Sequence, residues 1–485
     1  MRTGGLTAAM AAAALVTGCA SFAAKPIQPA ATAANLEQRT LADPKLAQLV
    51  AAVLPDHAAA TGGTTWDLSS LTVAALYFHP EMEVSRAKLA LARAGVRTAR
   101  QIPNPTLNFQ PGLYPQLADA SAWTIGFIVN FILETAGKRE KRTEAARNLV
   151  EAARQDVATA AWQVRGAVRS ALLDLWAAEG RRRLVDQRQT VQAQIVSLLD
   201  RRFASGDVSA LDVARERIAL SQATLALRDI ERQAADARAR LATAVGVPVR
   251  ALDGISLSLA AFDNPFGVPE GIDLQDSTLR RRALQERTDI LGLLAEYDAA
   301  QSGLRLQIAK QYPDVTLGPG YTYDQGFDLY NLNLQVELPI FNQNQGPIAE
   351  AEARRKEAAA RFIALQAKVI GEIDRARAAY VADVRSVSTA DTLIRDQTRQ
   401  RQQVERSYRL GETDRLAPLT ASVEQAVVEL ARFEALVQQR EALAQMEDAL
   451  QHSMYDASSL YVRLPGQTAS KLDLLRERSE ESLGK

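Results

Sequence analysis

The chain has 485 residues, and its 57 basic side chains balance 57 acidic ones, so the formal net charge is zero. Zero net charge and only 6% aromatic residues exclude the bulk composition of a nucleic-acid-binding protein, and no nucleic-acid partner is expected. Abundant Ala, Leu, Arg, Glu and Gln favour long helices, and the length is ample for a large core.

The N-terminus has the pattern of a bacterial secretory signal. Arg2 supplies a positive charge and residues 6–16 an apolar segment, which predicts a signal peptide over residues 1–18. The segment ends in L-V-T-G-C, which resembles a lipobox, so Cys19 is the expected lipidation site; an ordinary signal peptide with a chance cysteine is the alternative. Because Cys19 is the only cysteine, an intrachain disulfide is excluded. Ala20, in place of Asp, implies sorting to the outer membrane in this class of lipoprotein.

Residues 19–65 have little apolar periodicity and are interpreted as a lipid-anchored leader that tethers or wraps. A first series of elements is predicted over residues 66–275, ending in an irregular connection over residues 249–275. Its elements are a helix from Leu68 interrupted at Pro80 and ending near Gln101, strands Thr106–Tyr114 and Trp123–Glu134, a helix from Gly137 to about Phe203, and a return helix from Ser209 to about Val245. Five residues of the return helix are spaced as a heptad stripe: Leu211, Ala214, Ile218, Ser221 and Leu225.

The same series repeats over residues 276–458, before a C-terminal tail over residues 459–485. Its elements are a helix from Asp289 to Gln311, a strand over Val315–Tyr323, a strand over Asn331–Phe341, a helix from about Gly346 to Leu410, and a return helix from Asp414 to about Tyr455. Landmark residues of the two series lie about 205 to 208 positions apart, which indicates an internal duplication.

The strand over Asn331–Phe341 alternates strictly between apolar and polar residues, so one of its faces is polar and is expected to contact water. Four strands of this kind cannot close a lipid-exposed sheet, because closed bacterial barrels have at least eight. Three chains lending four strands each would give twelve. The polar residues predicted to line the lumen are Asn331, Asn333, Gln335 and Glu337. A soluble sheet packed under helices is the alternative.

Several segments of the chain resemble the TolC-type outer-membrane efflux proteins. The segment L-P-I-F-N-Q-N-Q-G-P-I-A-E-A-E-A-R-R, over residues 338–355, is similar to the heavy-metal (CzcC-like) lipoprotein branch. Residues 201–213 and 406–418 resemble the two helix-hairpin tips of the family.

This resemblance implies a mainly α fold with β-strands, in which each of two repeats contains a helix, two strands and two long helices. It further implies a homotrimer in outer-membrane lipid, with a 12-stranded β-barrel continued by a periplasmic α-helical barrel. The expected partners are a periplasmic membrane-fusion adaptor and an inner-membrane RND pump, and the expected cargo is metal ions or drugs. A type I protein secretion exit and a lipid-anchored periplasmic coiled-coil protein are the alternative functions.

The resemblance also implies a periplasmic gate at the helix tips. Asp212 and Tyr408 match family positions that latch neighbouring helix pairs, although Ser209-x-x-Asp212 also reads as a local capping box. Gly206 and Gly411 are the expected tip turns and adaptor contacts. The acidic ring of the family is absent, since Ala417 and Thr420 occupy its positions; Glu412 and Asp414 are the candidate substitutes.

No cofactor, metal site or enzyme activity is expected. The three histidines, His57, His79 and His452, are scattered, and no spacing resembles a zinc or copper site. No phosphate-binding loop, dinucleotide fingerprint or hydrolase motif is present.

Overall fold

The computed structural model describes residues 22–55, 65–113, 123–263 and 277–453. Its helices are α1 (Pro29–Glu37), α2 (Pro44–Val53), α3 (Leu68–Phe78), α4 (Pro80–Arg100), α5 (Lys138–Ala204), α6 (Ala210–Val245), α7 (Ala260–Asp263), α8 (Ser277–Glu286), α9 (Thr288–Ala309), α10 (Gln345–Arg409) and α11 (Leu416–Leu450). Its strands are β1 (Thr65–Trp66), β2 (Thr106–Leu113), β3 (Trp123–Leu133), β4 (Ser256–Leu257), β5 (Val315–Asp324) and β6 (Phe327–Val336).

The predicted duplication is confirmed by the order of the elements. Each half contains a helix, two strands, one very long helix and a shorter return helix. Helices α5 and α10 have 67 and 65 residues, so each extends about 100 Å. Among the described residues, no helix combines the length and the apolar composition needed to span a bilayer.

The ends of the long helices follow from local sequence. Gly137 precedes α5 in a left-handed conformation, and Gly206 and Gly411 form the tip turns with φ of 82° and 77°. Glycine adopts positive φ without the steric penalty of a Cβ atom, which explains its place at these sharp reversals.

The predicted strand over Asn331–Phe341 is wrong in its boundaries, because the observed strand β6 runs from Phe327 to Val336. A two-residue turn at Gln325 and Gly326, both with positive φ, pairs β6 with β5 from Phe327 onward. Pro339 cannot donate a ladder hydrogen bond. Residues 337–344 therefore form the joint between β6 and α10, and Glu337 lies just past the strand.

The segment over residues 19–65, predicted as a leader that tethers or wraps, contains helices α1 and α2 in its described part. Three residues of α2 are buried in the main core: Leu46, Leu49 and Val50. Arg39 donates hydrogen bonds from Nη1 to the carbonyl oxygens of Phe78 at 2.6 Å and Gly246 at 2.9 Å. The leader is thus packed onto the helical body.

The connection over residues 249–275 is not wholly irregular in its described part. It contains β4, which pairs in parallel with β1, and the short helix α7. The Trp176 indole Nε1 donates to the Asp263 carboxylate at 2.8 Å, so α7 is fixed against α5.

The helical body is arranged as the series α6, α5, α11, α10, in which α5 and α11 are the inner pair. The ring of Phe433, on α11, fits against Trp176 of α5 with ring centroids 4.9 Å apart. Gly180 makes room for this ring, since a Cβ atom there would lie only 2.0 Å from the end of the Phe433 ring. The contact sets how closely the two hairpins approach.

A buried ionic cluster joins the same two helices nearer the sheet. Glu447 is fully buried and forms ion pairs with Arg165 and Arg169, which are 3% and 2% exposed. Arg169 also binds both Asp448 oxygens, at 3.1 and 2.6 Å. Buried charges persist only when paired, so this cluster strongly favours one register of α5 against α11.

We predict that Gly180→Ala destabilises the protein by about 2 kcal/mol, because the added methyl group overpacks the Phe433 site. Thermal unfolding of the detergent-purified protein, followed by far-ultraviolet circular dichroism, measures the loss. Gly371→Ala is the control, since that helical glycine faces open space and alanine favours the helix. The variant Gly180→Ala/Phe433→Leu should recover part of the loss; no recovery would contradict the packing explanation.

We predict that Glu447→Gln lowers the unfolding free energy by about 3 kcal/mol, because it removes the buried carboxylate that the Arg165 and Arg169 guanidinium groups share. The same unfolding measurement tests it. Glu350→Gln removes an exposed pair with Arg354 and should change stability by less than about 1 kcal/mol. Equal effects of the two variants would show that the cluster adds nothing beyond a surface pair.

Candidate functional site: a two-faced sheet and two helix tips

Strands β2, β3, β5 and β6 form one antiparallel sheet in that order. The two halves of the chain contribute two strands each, and β3 pairs with β5 to join them. Strands β2 and β6 are the edges, and within the described residues neither pairs with a further strand on its outer side. Such edges are open to pairing with another chain.

One face of the sheet is apolar. The register places aligned residues of neighbouring strands on the same face. This face carries Leu107, Phe109, Leu113, Trp123, Ile125, Phe127, Val129, Phe131, Leu133, Val315, Leu317, Leu332, Leu334 and Val336. Many of these side chains are exposed in the single chain, including Leu332 at 67%. An exposed apolar face of this extent marks a surface that contacts a membrane or another protein.

The opposite face is mainly amide, hydroxyl and glycine. Its polar residues are Thr106, Asn108, Gln110, Thr124, Asn130, Thr316, Thr322, Asp324, Asn331, Asn333 and Gln335. Gly318 and Gly320 lie beneath neighbouring asparagine side chains: a Cβ atom would meet the Asn130 Oδ1 atom at 2.4 Å in the first case and the Asn331 Oδ1 atom at 2.2 Å in the second.

The predicted lumen residues are therefore mostly together. Asn331, Asn333 and Gln335 lie side by side on the polar face of β6, while Glu337 is in the joint beyond it. Their role as lumen lining remains a prediction.

The end of the sheet next to the long helices is fixed by charge pairs. The Lys138 ammonium contacts the Asp314 carboxylate at 2.6 Å, and the Arg142 guanidinium contacts Glu134 at 2.7 Å. The Thr135 backbone N–H also donates to Asp314 at 2.9 Å. These contacts join the strands to α5, and each of the two ion pairs is neutral.

At the helix tips, Asp212 caps its own helix. Its backbone N–H is bound by the Ser209 hydroxyl, and its carboxylate accepts from the Ser209 hydroxyl at 2.7 Å. The hydrogen bonds that this carboxylate accepts from the Ser209 hydroxyl and from the Ser209 backbone N–H lower the pKa of Asp212. Tyr408 is 41% exposed, and in the described chain it forms no hydrogen bond with Asp212. The predicted latch between them is not formed within this single chain, and its formation between neighbouring chains stays a prediction.

A different contact joins the two tips. The Arg202 guanidinium, before the first tip glycine, contacts the Asp414 carboxylate, after the second, at 2.6 Å. The hydrogen bond from Arg202 lowers the pKa of Asp414, so the bridge contributes above the ordinary pKa and is lost as pH falls through the lowered one. Sequence inspection marked Asp414 only as a candidate acidic-ring residue; its basic partner lies 212 positions away.

The described residues contain no group of three or more His, Cys, Asp or Glu side chains arranged to hold a metal ion. Cys19, the predicted lipidation site, lies outside the described residues. The geometry of the described part is that of a two-faced sheet continued by charged helical hairpins.

Residues 71–247 match the protein family described as "Outer membrane efflux protein". The first half of the chain therefore resembles the outer membrane efflux protein family. The match covers most of the first repeat, including α3 to α6 and strands β2 and β3.

Two curated relatives align with this chain. The "Cobalt-zinc-cadmium resistance protein CzcC" of Cupriavidus metallidurans is 24% identical over 285 residues, which are 58% of this chain and 65% of the relative. The "Pyoverdine export outer membrane protein OpmQ" of Pseudomonas aeruginosa is 25% identical over 296 residues, 59% of each chain. The alignments thus span less than two thirds of either relative.

Solved structures share the fold of this chain. A membrane protein from Pseudomonas aeruginosa has a TM-score of 0.64 at 22% identity, over 82% of this chain and 92% of its own. The outer membrane protein VceC from Vibrio cholerae has a TM-score of 0.64 at 19% identity, over 80% and 96%. The TolC-like fold expected from sequence is confirmed.

We predict that Arg202→Ala raises single-channel conductance in planar bilayers, because it releases the first tip from the second. Asp212→Ala/Tyr408→Phe tests the predicted latch in the same assay. Arg217→Ala is the control, since Arg217 pairs with Asp200 within one hairpin. If Arg202→Ala and Asp212→Ala/Tyr408→Phe both conduct like the unmodified protein while remaining folded trimers, neither contact holds the tips.

Proposed function

We propose that three copies of this chain form a passive outer-membrane duct of a tripartite efflux system. The observation that carries the proposal is the sheet, which has one apolar face, one polar face and two unpaired edges, and which continues directly into two helical hairpins. An apolar face suits lipid, a polar face suits a water-filled lumen, and closure removes the edges.

Closure of the sheet sets the number of copies. Four strands per chain are too few for a bacterial barrel, whereas three chains supply twelve, an even number within the range of known barrels. The outer edge of β6 in one copy then pairs with the outer edge of β2 in the next. The shared fold with the outer membrane protein VceC supports a membrane setting for this sheet.

The helical hairpins offer a matching surface for the neighbouring copy. Val213, Ala223 and Ile230 are the side of α6 that is buried against α5. The heptad stripe predicted in this helix lies on the opposite side, with Ile218 60% exposed, and so faces away from its own chain. We infer that this stripe packs against α10 of the next copy and closes a helical tube.

The proposed partners and cargo are those that the resemblance to the family implies. The tips at Gly206 and Gly411 would dock on a periplasmic adaptor, which connects the duct to an inner-membrane pump of the RND class, and lipid on Cys19 would add a membrane anchor. The relative named for cobalt, zinc and cadmium resistance favours metal ions as cargo. The relative named for pyoverdine export supports organic molecules as the alternative cargo.

The duct proposal is tested by purifying the full-length protein from outer membranes in detergent. We expect trimers by native mass spectrometry and discrete conductance steps in planar bilayers. Ile218→Glu should dissociate trimers, because it places a charge in an apolar contact, whereas Ile218→Leu should not. Stable monomers without conductance would overturn the duct and leave the coiled-coil structural protein as the better interpretation.

A further inference from the structure

The barrel-forming segments of the chain contain acids but no bases. Residues 101–137 and 311–353 include no Lys, Arg or His. Any ion that crosses the sheet region therefore meets side chains whose fixed charges are all negative. Which of these charges acts on the ion depends on where each acid lies.

Three of the acids in the strands and at their helical ends are paired or face away from the polar surface. Glu134 and Asp314, at the helical end of the sheet, are paired with Arg142 and Lys138. Asp328 lies on the apolar face, where the Tyr321 hydroxyl donates to it at 2.6 Å. These three carboxylates do not place net charge on the polar face.

Asp324 differs from them in position and in partner. It is the last residue of β5, at the end of the sheet remote from the helices, and it lies on the polar face. The Thr124 hydroxyl donates to its carboxylate at 2.6 Å, which orients the group without neutralising it. Among the described residues, no basic side chain lies within ion-pair distance of Asp324. The other polar groups of that face are uncharged amides and hydroxyls.

We propose that Asp324, contributed once by each copy, forms an acidic ring that makes the outer end of the duct selective for cations over anions. The inference rests on the proposed duct, since one chain supplies only one carboxylate. Rings of acidic side chains select cations in other channels. The amides and hydroxyls of the polar face carry no positive charge that would offset the Asp324 carboxylates. The cargo class that fits this exit is metal cations and neutral or cationic molecules.

The proposed ring lies at the opposite end of the duct from the acidic ring that the family resemblance implies. Ala417 and Thr420 stand where the family resemblance places its acidic ring. Asp414, the nearest acid, is occupied by Arg202. Other acids, including Asp212 and Glu412, remain at the tips, whereas Asp324 lies at the opposite end of the proposed duct.

The test measures reversal potentials of full-length trimers in planar bilayers under a KCl gradient. We expect the unmodified protein to prefer K⁺ over Cl⁻, and Asp324→Asn to reduce the permeability ratio by about twofold or more at about 0.1 M salt, where the Debye length is about 10 Å. The preference should weaken at about 1 M salt because a shorter Debye length screens the ring. Asp324→Glu should retain it.

Asp328→Asn is the matched control, because it removes an acid four residues away on the opposite face of the sheet. Glu337→Gln tests the acid in the joint. Absence of conductance in the unmodified protein would overturn the duct itself. Conducting trimers whose ion preference is unchanged by Asp324→Asn, or is lost with Glu337→Gln instead, would overturn the ring alone.

Discussion

Strands β2 and β6 each leave a row of backbone N–H and C=O groups without a partner in the described chain. In water such an edge invites aggregation, and in lipid each unsatisfied group costs several kcal/mol. The single chain therefore cannot be the functional unit if its apolar face lies in a bilayer. In the proposed trimer, every sheet edge pairs with an edge of the next chain, and all three contacts are identical. This symmetry then fixes how the helical hairpins of neighbouring chains meet.

The hairpins need their own means of holding register, because repetitive Ala-rich helices can slide past one another. Two contacts between α5 and α11 prevent this sliding: the Phe433 ring inserted at Gly180 and the buried cluster around Glu447. One is steric and the other electrostatic. Both lie in the helical body, so the strands above and the tips below are positioned from a common rigid region.

Much of this architecture could be predicted from sequence because it depends on local patterns. Period-two alternation located β3 and β5, Gly206 and Gly411 located the tip turns, and the repeated series located the duplication. The limits of β6 were missed because pairing with β5 begins at a Gln325–Gly326 turn that alternation alone does not reveal. The packed leader was missed because α2 is short and meets its core partners only in three dimensions.

The candidate site was predictable to a similar extent. Asn331, Asn333 and Gln335 follow from strand alternation, which is local. The tip bridge between Arg202 and Asp414, the ionic cluster and the hydrogen bond between Thr124 and Asp324 join residues roughly 200 or more positions apart. No spacing rule within one sequence connects such pairs, since the duplication brings them together only after both halves have folded.

The close contact at Gly180 also has a mechanical consequence for the helix tips. About 25 residues separate Gly180 from Ser205, which at the α-helical rise is a rigid arm of about 37 Å. If the hairpins pivot where Phe433 inserts, a rotation of about 10° moves the tip by about 6 Å, comparable to the reach of one long side chain. Small changes in packing at this contact would therefore be amplified into larger displacements of the helix tips.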